Sequence, residues 1–360
     1  METNVRDVAL ASAQPRSTVR TLGSLVLLWT LFFLICFGLG YPTLNRYQPS
    51  HVESLSDSII YYQMVTGAPS NRARAEIFRG RILVPYIARL IRRLAESRLR
   101  TWDPVYFALL VSNSLFCATT SLLLLGAGIV VTKDTGTALV AATLYLLNFS
   151  IPNLQLAGLV DSGEACFMML LTWGLLTGRW WLLPLVGIGG ALAKETFVAF
   201  ASVFAIVWWL RSAPRSVFRS RSSAWILALI VSSELTTLAI HFANEGHLVS
   251  PWQIAAAMNS RANYFQSFFG CIFDRSFWYV FLWLLPLGVW RWKRLPREWV
   301  TASLVTALVA LAFGVYNNME GTVARPIFNV AGPMLAMGAA MLLTDLLAQT
   351  IPAAHAAAGE

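Results

Sequence analysis

The chain has 360 residues, of which 57% are hydrophobic and only 12% charged, with a mean hydropathy of +0.60. A soluble domain carries about 25% charged residues, so the composition excludes an ordinary water-soluble enzyme or binding module. The net charge of +9 comes almost wholly from arginine, and the positive-inside rule for membrane loops accounts for it without a nucleic-acid partner.

Stretches of about 15–25 residues with almost no charge recur along the chain, the signature of membrane-spanning helices. The expected fold is all-α: a polytopic integral membrane protein of about ten transmembrane helices, with interfacial amphipathic helices in its first outer loop. Residues 1–20 form an N-terminal tail, 21–346 a single transmembrane domain that includes outer loop 41–103, and 347–360 a disordered C-terminal tail. The spans fall at 21–40, 104–131, 136–151, 162–178, 180–193, 196–210, 224–241, 276–290, 299–315 and 327–346. The first span follows Arg16 and Arg20 as a signal sequence would. Its apolar run is about twice a typical signal core and lacks a small-residue cleavage site, so it reads as uncleaved.

Placing both termini in the cytoplasm puts the basic loops 211–222 and 291–298 inside. Asp57, Asp161, Lys194, Glu195 and Arg325 then lie outside. Loop 41–103 also falls outside although it holds ten arginines against five acids, which is tolerated because it is near the length at which the bias stops operating. Cys36, Cys117 and Cys166 lie in apolar segments and Cys271 in a loop, with no C-x-x-C spacing, so neither a metal site nor a disulfide framework is expected.

Ser50 and Glu53 have capping-box spacing, which starts a helix at His51 and puts Glu53, Asp57 and Tyr61 on one face. The bland reading is a cap at Glu53 and a solvated charge at Asp57. The sharper reading is a carboxylate face over a pocket. The run RGRILVPYIARLIRRLAESRLR sets Leu83, Ile87, Leu90 and Leu94 against Arg89, Arg92 and Arg93, an interfacial helix for membrane lipids. Arg79 and Arg81 precede it and suit a phosphate, whose oxygens match the guanidinium fork. Asp161 and Glu164 have the D-x-x-E spacing of a helix start and serve either as caps or as further acids at the pocket mouth. Lys194 and Glu195 break an apolar run, which is costly unless they face water or a partner. Glu234 sits mid-span, as a neutral hydrogen-bonding acid or as a functional one. Arg325 precedes the last span as an outer-face cation.

The motifs D-x-x-x-Y-Y-x-x-x-x-G (Asp57, Tyr61, Tyr62, Gly67), R-I-L-V-P (Arg81–Pro85), A-K-E-T (Ala193–Thr196) and A-R-P (Ala324–Pro326), in this order, resemble bacterial membrane proteins of the GT-C glycosyltransferase superfamily. The resemblance implies transfer of a sugar from a polyprenyl-phosphate donor to a glycan, lipid or protein acceptor on the outer face of the bacterial cytoplasmic membrane. It implies Asp57 as general base, and inversion at the anomeric carbon. Many relatives carry a carboxylate pair where this chain has Ser56-Asp57-Ser58. No cofactor is specified, and a divalent metal stays open. Arg79, Arg81, Lys194, Glu195 and Arg325 would form the phosphate-binding set, with Glu53, Asp161, Glu164 and Glu234 as second acids. The alternatives are a transporter or flippase of an envelope precursor working through Glu234, and a non-catalytic membrane scaffold.

Overall fold

The computed structural model describes residues 16–46, 57–68, 78–99, 101–212, 219–246, 248 and 263–357. Among them every regular element is helical. In chain order these are α1 (Arg16–Arg46), α2 (Ser58–Thr66), α3 (Leu83–Ala95), α4 (Pro104–Thr132), α5 (Thr135–Leu147), α6 (Asp161–Leu176), α7 (Leu183–Ala193) and α8 (Thr196–Ser212). There follow α9 (Arg219–Glu245), α10 (Tyr264–Phe273), α11 (Arg275–Phe281), α12 (Leu284–Arg291), α13 (Arg297–Tyr316) and α14 (Ala324–Ala357).

Among the described residues five segments are long and apolar enough to cross a membrane: Leu22–Tyr41, Pro104–Thr132, Ser222–Asn244, Arg297–Tyr316 and Ala324–Thr350. Thr135–Leu147, Trp180–Ala193, Thr196–Ser212 and Tyr264–Phe273 are shorter apolar helices. This is the make-up of an all-α membrane protein, and the exposed side chains agree with it. Leu22, Val26, Leu27, Leu31 and Leu34 lie bare along α1, where a soluble protein would carry charge.

Local chemistry explains the breaks. Asp103 opens α4 by accepting from the backbone N–H groups of Val105 and Tyr106, with Pro104 in the first helical position. The helix stops at Lys133, whose φ of 58° is left-handed, and Asp134 starts α5 by accepting from Gly136 and Thr137. The single span expected over 276–290 is two short helices. Pro286 has no N–H to offer the carbonyl of Leu282 one turn before it, so the chain rewinds between α11 and α12. The loop expected over 242–275 contains α10, which buries Cys271. The expected tails also differ: α1 already begins at Arg16, and α14 continues to Ala357 where disorder was expected from 347.

At the centre α4 packs against α1, α3, α5 and α6, while α14 packs against α5, α6, α12 and α13. Helix α7 pairs with α9, and α8 with α13. Helices α12 and α14 cross closely, where Gly338 lies against the backbone of Gly288 and neither position has room for a side chain.

Candidate functional site

Several chain breaks meet at one place: the start of α2, the lead-in to α3, the start of α6, the α7–α8 junction and the start of α14. The junction is made by Lys194, whose backbone is extended (φ −166°, ψ 135°) and turns its side chain away from that of Glu195. Lys194 Nζ donates to Asp161 Oδ1 at 2.7 Å and to Glu164 Oε2 at 3.2 Å. Glu195 faces the other way and takes the Arg81 guanidinium through two nitrogens, with Nε to Oε2 at 2.8 Å. Arg325 closes the set with its NH1 group 3.5 Å from Asp161 Oδ2.

Three cations and three carboxylates therefore balance. The balance is required, because Glu164 is fully buried and Arg81, Asp161, Lys194 and Glu195 are each at most 7% exposed. Charges this deep persist only when paired and hydrogen-bonded. Helix dipoles add to the pairing. Asp161 and Glu164 lie in the first turn of α6 and Glu195 immediately before α8, at positive helix ends, while Lys194 sits at the negative end of α7. Arg325 is the exception: a cation in the first turn of α14, where the dipole also favours an anion. Asp161 meets part of that demand. The buried Nε of Arg325 has no hydrogen-bond partner among the described residues.

Asp57 is the N-cap of α2, but its carboxylate makes no capping bond; it is half-buried and without an ion pair among the described residues. One turn on, the Tyr61 hydroxyl accepts from Arg81 NH1 at 2.8 Å. Burial pushes the Tyr61 phenol up to about 12; the Asp161 and Asp57 charges add to the rise, and the Arg81 guanidinium opposes it. The Asp57 and Asp161 charges thus both reach the phenol that Arg81 holds, which links the open carboxylate to the buried cluster.

The expected residues fare differently. Asp57, Arg81, Asp161, Glu164, Lys194, Glu195 and Arg325 converge. Arg81 and Lys194, expected as free phosphate ligands, are instead held by internal carboxylates, and Arg81 also lies 4.4 Å over the Phe78 ring. Arg79 is exposed beside them, its carbonyl accepting from Asn244. Glu234 is half-buried on α9 and makes no hydrogen bond or ion pair among the described residues. Glu53 and Ser50 lie outside those residues, and the helix in question is described from Ser58 rather than His51. No group of three or more His, Cys, Asp or Glu side chains forms a metal cage among the described residues.

The second layer escaped the sequence. Thr196 donates to Glu164 Oε1, and Asn329 donates to Glu164 Oε2 at 2.9 Å. Gln155 donates to Asn329 at 3.0 Å and accepts from Cys117. The one available signal was spacing: Asn329 lies a helical turn after Arg325, and Thr196 closes the A-K-E-T motif.

Neither protein-family models nor curated proteins match the chain. The functional argument therefore rests on this geometry: an open carboxylate beside a fixed, charge-balanced cluster with one spare buried donor.

Proposed function

We propose that the chain is a membrane glycosyltransferase of the GT-C type. It moves a sugar from a polyprenyl-phosphate donor to an acceptor on the outer face of the bacterial cytoplasmic membrane, with about ten spans and both termini inside. The observation that carries this reading is Asp57, whose carboxylate makes neither a capping bond nor an ion pair among the described residues and lies one turn before Tyr61, the phenol bonded to Arg81 of a cluster in which Arg325 keeps a buried Nε with no partner among those residues.

In this reading the acceptor hydroxyl attacks the anomeric carbon as its proton passes to Asp57. The anomeric carbon–oxygen bond breaks, and the lipid phosphate leaves with the electron pair, inverting the centre. A base within hydrogen-bond reach and cations fixed where charge develops are what the step requires. Arg325 and the exposed Arg79 hold the phosphate. Arg81 and Lys194 stay on their carboxylates and keep the α6, α8 and α14 ends in register.

The test is transfer by the full chain reconstituted in liposomes with radiolabelled polyprenyl-phosphate hexoses and pentoses and extracted envelope acceptors. Wild type should release polyprenyl phosphate and label the acceptor, and Asp57→Asn should abolish both at unchanged insertion and melting temperature. Full activity in Asp57→Asn removes the base assignment. Donor left intact by wild type across the panel removes the reaction itself.

A further inference from the structure

A second polar cleft lies at the opposite end of α2 from Asp57, about 15 Å away for ten residues of helix. It has a volume of about 280 Å³ and is walled by the α2 terminus (Val65, Thr66, Gly67) and by Arg89, Arg92, Arg93 and Glu96 at the end of α3. Arg89 is spent on structure, donating to the Met64 carbonyl and so closing α2. Arg92 pairs with Glu96 at 2.8 Å, yet its buried Nε has no hydrogen-bond partner among the described residues. Arg93 makes no ion pair there and is exposed. Three arginines against one glutamate leave the cleft two charges positive, with at least one donor still to be satisfied.

The neighbouring surface indicates the source of the anion. Tyr86, Leu90 and Leu94 are exposed and recur every fourth residue, an apolar stripe on α3. At 100° per residue Arg93 lies on the edge of that stripe, and the Arg89 guanidinium sits 5.1 Å over the Tyr86 ring. A free anion has no use for bare leucines. A membrane lipid uses both features: its phosphate enters the cleft while its acyl chains cover the stripe.

We infer that this cleft binds the phosphate of an anionic lipid headgroup, through Arg92 and Arg93, and that the bound lipid seats α2 and α3 at the bilayer surface. The site is independent of the transfer reaction. Its test is lipid retention by the full chain in detergent, read by native mass spectrometry and by the melting-temperature shift. The additions are phosphatidylglycerol, phosphatidylcholine or inorganic phosphate.

Phosphatidylglycerol should bind and raise the melting temperature, and the other two should not. Arg92→Gln/Arg93→Gln should weaken phosphatidylglycerol by roughly tenfold or more, the loss of a charge-assisted contact. Glu96→Gln, which frees Arg92 and adds net positive charge, should tighten it, and this gain is not an outcome of misfolding. Equal shifts with phosphatidylcholine overturn the headgroup site. An equal shift with inorganic phosphate assigns the cleft to a free anion and overturns the lipid. Unchanged phosphatidylglycerol binding in the double variant removes the cleft altogether.

Discussion

Arg81 and Glu195 lie 114 residues apart in sequence and meet as a two-nitrogen ion pair, both side chains at least nine-tenths buried. The pair fastens the segment before α3 to the α7–α8 junction, so the stretch carrying Asp57 and Tyr61 is referenced to the helices that carry Lys194 and Asp161. Its free energy is asymmetric. Removing one partner strands the other, at a cost of about 3–5 kcal/mol, whereas replacing both with apolar groups of like volume is often close to neutral.

Glu195→Leu and Arg81→Met should therefore each destabilise the chain by about 3–5 kcal/mol, and Arg81→Met/Glu195→Leu should recover most of that loss. Thermal unfolding in detergent checks this as a double-mutant cycle. A double variant no better than the sum of the singles contradicts the asymmetry.

Asp57 and Asp161 should separate by the readout they move. Asp161 holds Lys194 and Arg325, so Asp161→Asn leaves Lys194 with Glu164 alone and Arg325 without its counter-charge, in a site only 3% exposed. It should melt several degrees lower. Asp57 carries no such duty, so Asp57→Asn should melt with wild type and lose transfer. Equal melting losses at both positions would make Asp57 another structural acid.

Five of the ten expected spans, 21–40, 104–131, 224–241, 299–315 and 327–346, coincide with segments long and apolar enough to cross a membrane among the described residues, and some helix ends fall on residues of known preference. Asp103-Pro104 and Lys133-Asp134 mark α4 and α5 within a residue or two of the expected bounds. The split at Leu282 was written in Pro286 but read as part of one apolar run. The site was legible as a set of charges interrupting apolar runs, not as a circuit. Short motifs show which charged side chains share a face, but not that Lys194 turns to Asp161 while its neighbour Glu195 turns to Arg81. That choice comes from the extended backbone at Lys194, which is a tertiary property. Gln155 was invisible for a related reason, since a single amide in an apolar segment has no periodicity to betray it, while Asn329 left only its one-turn spacing from Arg325.

Tyr61 gives a pH signature. An ordinary phenol titrates near 10, and burial holds this one up to about 12. Between these values the unfolded chain releases its proton first, so the folded state binds more protons and stability falls as pH rises. The contribution is fully present below pH 10 and is lost on the way to pH 12. Two units correspond to about 3 kcal/mol at most. Tyr61→Phe should flatten that part of the melting-temperature profile, and an unchanged slope in the variant would place the alkaline loss elsewhere.

The α12–α14 crossing should be intolerant of a methyl group. A Cβ on Gly338 meets the backbone of Gly288, which cannot swing aside as a side chain does. Overpacking of this kind costs about 1–3 kcal/mol. Gly38, on α1, has nothing within 4 Å of the same construction. Gly38→Ala should instead be neutral or stabilising by up to about 1 kcal/mol, the helix-interior preference for Ala over Gly. Opposite signs in the two melting temperatures check the crossing; the same sign in both would mean that α12 gives way.

Arg325 tests the proposed chemistry most directly. It is the most loosely held of the three clustered cations, 3.5 Å from Asp161 against 2.7 Å for Lys194. Its Nε is buried without an acceptor, at a helix end that already favours an anion. If the lipid phosphate accepts from that Nε, Arg325→Lys keeps the charge but gives up the fork, since an ammonium is a point donor. Losing a hydrogen bond to a charged group costs about 1.5–3 kcal/mol, or roughly tenfold to over a hundredfold in kcat/KM. Arg325→Gln should lose more, because the charge goes too. Asp161 keeps Lys194 in both variants, so neither should lower the melting temperature as far as Asp161→Asn does. Transfer at the wild-type rate in Arg325→Lys would show that charge alone is needed there, and would move the phosphate fork to Arg79.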